Sequence, residues 1–367
     1  MPLPLAGLTV VAIEQAVAAP FSTSRLADAG ARVIKIERPE GDFARGYDDV
    51  ARGQSSYFVW LNRGKESVTL DLAGPQGAKE LARLLDRADV LVQNLKRGAL
   101  AKLGFSFERL ARDWPRLVTC SITGYGEGGP MADRKAYDLL IQAESGLCAI
   151  TGGPDEPARV GISLVDIATG ATAHAAILEA LIGRSVTGKG AQISVSMFDV
   201  MADWLTVPLL NHEGGKSPRR LGMAHPSIAP YGAFTAADGE QVLIAVQSDR
   251  EWRNLADLFL GQPELGTDPR FATNLARVAN RAETDALVAR GFARMTAREA
   301  IAALLRADVA LASVSDMAGL SRHPHLRRIT VDTPNGPVSY PAPAAMVAGD
   351  SRAYGPVPAL QPARVPA

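Results

Sequence analysis

The chain has 367 residues, 47% of them apolar, with 39 Lys+Arg against 39 Asp+Glu. That length suits two or three domains around a sizeable core, and the zero net charge gives no ground for a nucleic-acid partner or an anionic membrane surface. The two cysteines, Cys120 and Cys148, sit in apolar segments and read as two buried thiols of a reducing, cytoplasmic compartment rather than as a disulfide.

The opening MPLPLAGLTVVAIE has no basic region ahead of its apolar run, so it does not read as a signal peptide. No stretch of about 20 apolar residues free of charges and breakers predicts a membrane span. LTVVAIE (8–14) predicts a buried strand, PFSTSRLADAG (20–30) a helix ending at glycine, and ARVIKIE (31–37) a second strand. This tight β-α-β spacing implies parallel pairing with a right-handed crossover. Residues 38–65 are polar and Gly-rich, an excursion around one helical or turn element. Strands then follow at 67–72, 89–94 and 116–126, with helices at 74–88 and 107–114 between them. The alternation predicts an α/β fold with an open parallel sheet covered on both faces.

Helical periodicity runs over 138–144 and again over 167–181; residues 191–200 read as a strand that turns helical. Residues 210–229, rich in Gly, Pro and polar side chains, read as a linker. Beyond them the character changes. YGAFTAADGEQVLIAVQ (231–247) is a hairpin around Asp-Gly, 250–260 and 281–295 are helices, and TAREAIAALLRA (296–307) opens on a capping-box pattern. A second hairpin signal lies at 329–344, and the Pro-rich tail from Pro356 reads as a surface wrap. The expected organisation is a large domain at 1–209, a linker at 210–229, a smaller α+β domain at 230–328 and a return segment at 329–367.

Several familiar chemistries find no support. No G-x-G-x-x-G follows the first strand, and GEGGP (126–130) lacks the Gly-Lys-Ser/Thr ending of a phosphate loop. His323 and His325 have no further ligand at zinc spacing, so no metal site is expected. His174 reads as a packing histidine and Cys120 as core, and ESG (144–146) is no nucleophile elbow. One acid stands out. Asp166 sits between the turn-rich GGPDEPARVGISLV and the small-residue run IATGATAHAAILEALIG. It could cap that helix, or serve as a partly dry carboxylate nucleophile, and the local sequence leaves both open. Basic residues at or near the strand ends (Lys35, Arg38, Lys65, Lys96, Arg97, Lys102, Arg134 and Lys135) suit a phosphorylated ligand with a long body.

In order along the chain stand PLAGLTVVAIEQAVAAP (4–20), LADAGARVIKIERPEGD (26–42), NRGKESVTLDL (62–72) and ADVLVQNLKRGALAKLGF (88–105). SITGYGEGGP (121–130), AYDLLIQAESGLCAITG (136–152), GKGAQISVSMFD (188–199) and HPSIAPYGAF (225–234) follow. Together they resemble the class III CoA-transferase family, which also contains the α-methylacyl-CoA racemases. The resemblance implies a Rossmann-like large domain, an interlocked homodimer, no metal and no tightly bound cofactor, with acyl-CoA and a free carboxylic acid as substrates. It implies that Asp166 is the nucleophile, passing through an aspartyl anhydride and an aspartyl-CoA thioester. It implies CoA contacts at Arg38, Leu72, Asn94, Leu95, Lys102, Arg134 or Lys135, and at Met197 on a strand near the pantetheine end.

The sequence also departs from parts of that family. A glutamine of the formyl/oxalyl subgroup falls near Val17, and that subgroup's Gly-rich lid is replaced by GMAHPSIAPYG (222–232), which turns the reading away from oxalate and formate. The racemase His-Asp pair is here Tyr137–Asp138, and a phenol is a poor base at neutral pH. The leading expectation is therefore CoA transfer to a short dicarboxylate such as succinate, mesaconate, itaconate or citramalate. A 2-methylacyl-CoA racemase and a non-catalytic CoA-binding protein are the alternatives.

Overall fold

The computed structural model describes residues 3–349 and 352–361. Met1 and Pro2, residues 350–351 of the return segment and residues 362–367 of the Pro-rich tail lie outside the described residues. The chain divides into two compact units. The first takes the residues up to Cys148, Arg159–Glu213, and those from Arg327 on; the second takes Ala149–Ala158 and Gly214–Leu326.

The first unit opens with β1 (Thr9–Ile13), α1 (Ala18–Asp28), β2 (Arg32–Glu37), a 3-10 turn at Phe43–Gly46, α2 (Ser56–Asn62) and β3 (Lys65–Thr69). It continues through α3 (Pro75–Leu85), β4 (Val90–Gln93), α4 (Ala99–Lys102), α5 (Phe107–Asp113) and β5 (Val118–Thr123). After α6 (Asp138–Glu144) and α7 (Leu147–Ile150), which straddles the boundary with the second unit, come α8 (Leu164–Thr187), β6 (Gln192–Ser196), α9 (Met197–Trp204) and α10 (Thr206–Glu213). The six strands form one parallel sheet in the order β3-β2-β1-β4-β5-β6, so chain direction across the sheet reverses between β1 and β4. Alternation along β1 explains both layers. Val10 and Ala12 join α1 and α8 on one face, while Val11 and Ile13 join α3, α4 and α5 on the other. With both faces buried, β1 and β4 read as apolar runs rather than alternating ones.

The small residues of the 167–181 run have a packing cause. A Cβ built on Gly170 would stand 2.4 Å from the Ala18 carbonyl oxygen and 2.9 Å from Phe21 Cβ, so only glycine lets α8 seat against α1 this closely. The helix runs beyond the predicted span at both ends, to Gly188 in the left-handed region (φ 72°). At 24 residues it is, among the described residues, the helix long and apolar enough to cross a bilayer by length and composition. It nonetheless carries Asp166, Glu179 and Arg184, and Arg184 pairs with Asp89 at 2.9 Å inside the α/β unit.

The second unit is antiparallel and helical. It holds β7 (Tyr231–Thr235), β8 (Gln241–Ala245), α11 (Asp249–Asn254), α12 (Asn274–Ala279), α13 (Arg281–Phe292), α14 (Ala297–Arg306), β9 (Ala310–Ser313) and α15 (Met317–Ser321). The expected hairpin is β7–β8, to which β9 adds a third strand that the sequence reading does not contain. The Thr296/Glu299 capping box is present on α14. Within 210–229, Arg220 donates to the carbonyls of Ala149, Gly153 and Pro154. The closing hairpin of the first unit pairs β10 (Arg328–Val331) with β11 (Val338–Pro341). The tail is more than a surface wrap at one point: Val357 is 4% exposed and packs with Phe58, Val59 and Val331.

Candidate active site

Asp166 lies in the first turn of α8, and its surroundings answer the question its position raises. The cap residue Ser163 makes no side-chain cap bond. The capping is done from another helix: Asp138 Oδ1 accepts the backbone N–H of Val165 at 2.7 Å and of Asp166 at 3.2 Å. Gln142 Nε2 donates to Asp138 Oδ2 at 2.7 Å, and Gln142 Oε1 accepts the Val160 N–H at 2.9 Å, tying α6 to the approach to α8. Asp166 is thus relieved of the capping role that its position first suggests. Among the described residues no donor bonds its carboxylate. Burial pushes it up to about 7, with the Asp138 carboxylate adding to the effect.

An aromatic group shares this neighbourhood. Tyr47 stands edge-on to Tyr57 at 5.5 Å and next to Phe43 at 5.7 Å, and the Tyr57 and Ser163 hydroxyls are 3.2 Å apart. Burial pushes the Tyr47 phenol up to about 12, assisted by Asp42, Asp166 and Tyr137. These tyrosines lie in the 38–65 excursion, where no periodicity in the sequence marks them.

A second feature lies at the carboxyl edge of the sheet. A cavity of about 320 Å³ is lined by the ends of β1 (Ile13, Glu14, Gln15) and β2 (Ile36, Glu37, Arg38) and by Leu70–Ala73, Leu95 and Leu103. This is where an open α/β sheet receives ligands, beside the reversal in strand order. It brings together three of the expected CoA contacts, Arg38, Leu72 and Leu95. Asn94 acts behind it: its Oδ1 accepts the Gln15 N–H at 3.0 Å and its Nδ2 donates to the Gln15 carbonyl at 2.8 Å. Lys102 is exposed on α4, next to the lining residue Leu103. Arg134 and Lys135 line a separate cavity of about 540 Å³ with Tyr125 and Glu144, and Arg134 pairs with Glu144 at 3.2 Å.

Three sequence expectations need correction. Met197 does not lie on a strand: it begins α9 and is 7% exposed within the core, because the buried end of β6 passes directly into the helix. Lys35 and Lys65 are not free for phosphate. Lys35 Nζ pairs with Asp42 at 2.8 Å and Lys65 Nζ with Glu14 at 2.6 Å, all four side chains being buried. Burial lowers the Lys65 ammonium to about 8 despite Glu14. The network braces the turn after β1, since Asp42 Oδ1 accepts the N–H of Ala16, a non-glycine residue at φ 63°. Finally, Cys148 is only half-buried, while Cys120 is buried and its thiol is pushed up to about 12; both are free. His174 is half-buried on α8, its imidazole lowered by burial and then by Arg25. His323 and His325 are exposed, and no metal-holding cluster is found among the described residues.

The chain is similar to known proteins over nearly its whole length. A family model described as CoA-transferase family III matches residues 5–362. The acetyl-CoA:oxalate CoA-transferase of Acetobacter aceti is 37% identical over 350 residues, covering 94% of this chain and 90% of that protein. The succinate–glutarate CoA-transferase of Agrobacterium fabrum is 39% identical over 310 residues, covering 82% and 77%. A solved CAIB/BAIF family protein from Brucella suis superposes with a TM-score of 0.80 at 38% identity, covering 97% and 96%.

Proposed function

The chain belongs to CoA-transferase family III and is a class III CoA-transferase, and from that premise we propose that it moves CoA from an acyl-CoA to a short dicarboxylate through covalent intermediates on Asp166. The observation that carries the reading is the Asp166 carboxylate: on the first turn of α8, relieved of capping by Asp138, unbonded and raised to about 7. Such an oxygen is weakly solvated and reactive toward an acyl carbon.

Asp166 attacks the thioester carbonyl, expelling CoA thiolate and leaving a mixed anhydride. The thiolate attacks the aspartyl carbonyl, releasing the donor acid and leaving an aspartyl-CoA thioester. The acceptor carboxylate attacks that thioester, forming a second anhydride and freeing thiolate again. Thiolate then takes the acceptor's acyl carbon and restores the Asp166 carboxylate. No metal or resident cofactor enters this sequence; acyl-CoA is substrate. The edge cavity with Arg38, Leu72 and Leu95 receives the nucleotide end, Asn94 holds its Gln15 wall, and Lys102 beside Leu103 supplies charge for phosphate, with Arg134 and Lys135 in their separate cavity as further cationic contacts.

The substrates named for the relatives support a short dicarboxylate as the acceptor. The Acetobacter relative puts oxalate back into that class, where the Val17 departure had set it aside. Incubation with succinyl-CoA and a panel of glutarate, oxalate, mesaconate, itaconate and citramalate in heavy water tests both this reading and the racemase. The expected result is a new acyl-CoA with at least one acid. A 2-methylacyl-CoA under the same conditions should gain no deuterium at Cα, because the second racemase base is replaced by Tyr137, 59% exposed. Brisk exchange without transfer would install the racemase instead. Absence of both transfer and labelling of Asp166 would leave a CoA-binding protein.

The first unit also exposes apolar side chains on α8, α9 and α10 that a second copy of the chain would cover. On α8 Val186 is 83% exposed, on α10 Val207 is 67% exposed, and Trp204, Leu209 and Leu210 lie nearby in sequence. Such an array is costly in water. We read the protein as a cytoplasmic homodimer, interlocked as the family resemblance implies. Sedimentation equilibrium should give twice the chain mass, and Val186→Asp with Leu210→Asp should give monomers. A wild-type monomer at micromolar concentration would refute this.

A further inference from the structure

The C-terminal return segment touches the turn that carries Arg38, and the proposed mechanism does not use it. Residues 352–361 form no helix or strand, yet they are held at several points within the first unit. The Gly64 N–H donates to the Pro356 carbonyl at 2.8 Å, and the Val357 N–H donates to the Asp332 carbonyl at 2.8 Å. The Arg45 guanidinium reaches the Pro358 carbonyl at 3.4 Å, and the Thr69 hydroxyl donates to the Gln361 carbonyl. Pro356 and Pro358 limit the freedom of this coil before it docks.

The Arg45 anchor leads from Pro358 to one turn. Arg45 clamps Glu37 at 2.7 and 2.9 Å, and Glu37 Oε2 accepts the Asp42 N–H at 2.8 Å. Between them Gly41 lies at φ +79°, and a Cβ built on it would stand 3.4 Å from a Leu360 methyl. The Gly41 carbonyl in turn accepts a bond from Arg38 Nε at 3.2 Å. Leu360 therefore lies against the backbone that orients Arg38, and Gln361 is bonded to Thr69, next to the cavity residue Leu70.

We propose that residues 356–361 are a positioning element for the nucleotide end of acyl-CoA, holding the Gly41 turn so that Arg38 is presented to phosphate. The inference rests on the edge cavity being the nucleotide pocket. Its test compares an acyl-CoA with the matching acyl-pantetheine thioester, which has no nucleotide. The Thr69→Val, Leu360→Ala double variant should raise KM for acyl-CoA by about three- to tenfold. Its kcat, its KM for the acid and its KM for the pantetheine thioester should stay unchanged. Arg38→Ala should show the same discrimination, and adding the tail substitutions to it should have little further effect, since both act on one contact. Equal KM increases for both thioesters would mean a general loss of fold and would overturn the inference. So would an unchanged KM for acyl-CoA in the tail variant when Arg38→Ala raises it. Discrimination by the tail variant but not by Arg38→Ala would overturn the route through Arg38. If neither variant discriminates, both the inference and the assignment of Arg38 to the nucleotide end fail, while CoA transfer itself stands.

Discussion

Asp166→Asn should lower CoA transfer by at least about a thousandfold and, at pH 8, raise the melting temperature by a few degrees. The two effects share one cause. An amide is no nucleophile toward a thioester, so the covalent route closes. The stability gain follows from the raised carboxyl. Its folded value is about 7 against an ordinary 3.8, because burial and Asp138 disfavour the charge. Between those values the folded chain binds more protons at this site than the unfolded chain, so wild-type stability falls as pH rises through that window. The loss is at most about 1.4 kcal/mol for each pH step of one across the window, and partial solvent contact of the side chain reduces it. Asparagine carries no such cost. The wild type and the variant should therefore converge in stability below about pH 4 and separate above it. Thermal melts at fixed protein concentration across pH 4–8, with turnover on the same samples, check both halves. Hydroxylamine added with acyl-CoA should convert Asp166 to a hydroxamate in the wild type alone. A variant retaining a tenth of the activity would remove Asp166 from the role, and a variant less stable at pH 8 would contradict the buried-charge account.

What the sequence reveals here follows the range of each interaction. The parallel sheet is legible because β1 and β4 bury both faces and read as short apolar runs bounded by turn residues, and β2 keeps three Val/Ile positions around the buried Lys35. The α14 cap is legible because both partners lie within one turn, at Thr296 and Glu299. The cap of α8 is not, because its donors and acceptor are 27 and 28 residues apart, at Val165, Asp166 and Asp138. Lys35 and Lys65 look like surface charges for the same reason. Glu14 lies 51 residues from Lys65, and no local pattern announces that they meet in the core. Met197 shows a boundary effect: the strand pattern of β6 continues smoothly into α9, and only Ser196, which accepts the Asp199 N–H at 3.2 Å, marks the change. β9 is hidden because three of its four residues are exposed and ALAS has no strong strand preference.

The acidic limb of the pH profile is the second large effect. If ionised Asp166 is the attacking group, kcat/KM should fall about tenfold per pH unit below pH 7, reaching about a hundredfold by pH 5. The direction follows from the site: burial and Asp138 hold the carboxyl up to about 7, so the protonated, non-nucleophilic form accumulates at acid pH. Asp138→Asn then separates charge from capping. The amide oxygen can still accept the Val165 and Asp166 N–H groups, but the negative charge is gone, so the Asp166 carboxyl should drop and the acidic limb should move to lower pH. The new amide N–H₂ would face Gln142 Nε2, itself a donor, so a loss of about 1 kcal/mol in stability should accompany the shift. Asp138→Ala removes the cap as well and should cost a further ~1 kcal/mol with a larger fall in turnover, because the first turn of α8 loses its acceptor. The position of the limb, and not the size of the activity loss, distinguishes the electrostatic role from the structural one. A wild-type limb near pH 4, or an Asp138→Asn limb displaced to higher pH, would show that the Asp138 carboxylate does not raise the nucleophile in the working enzyme.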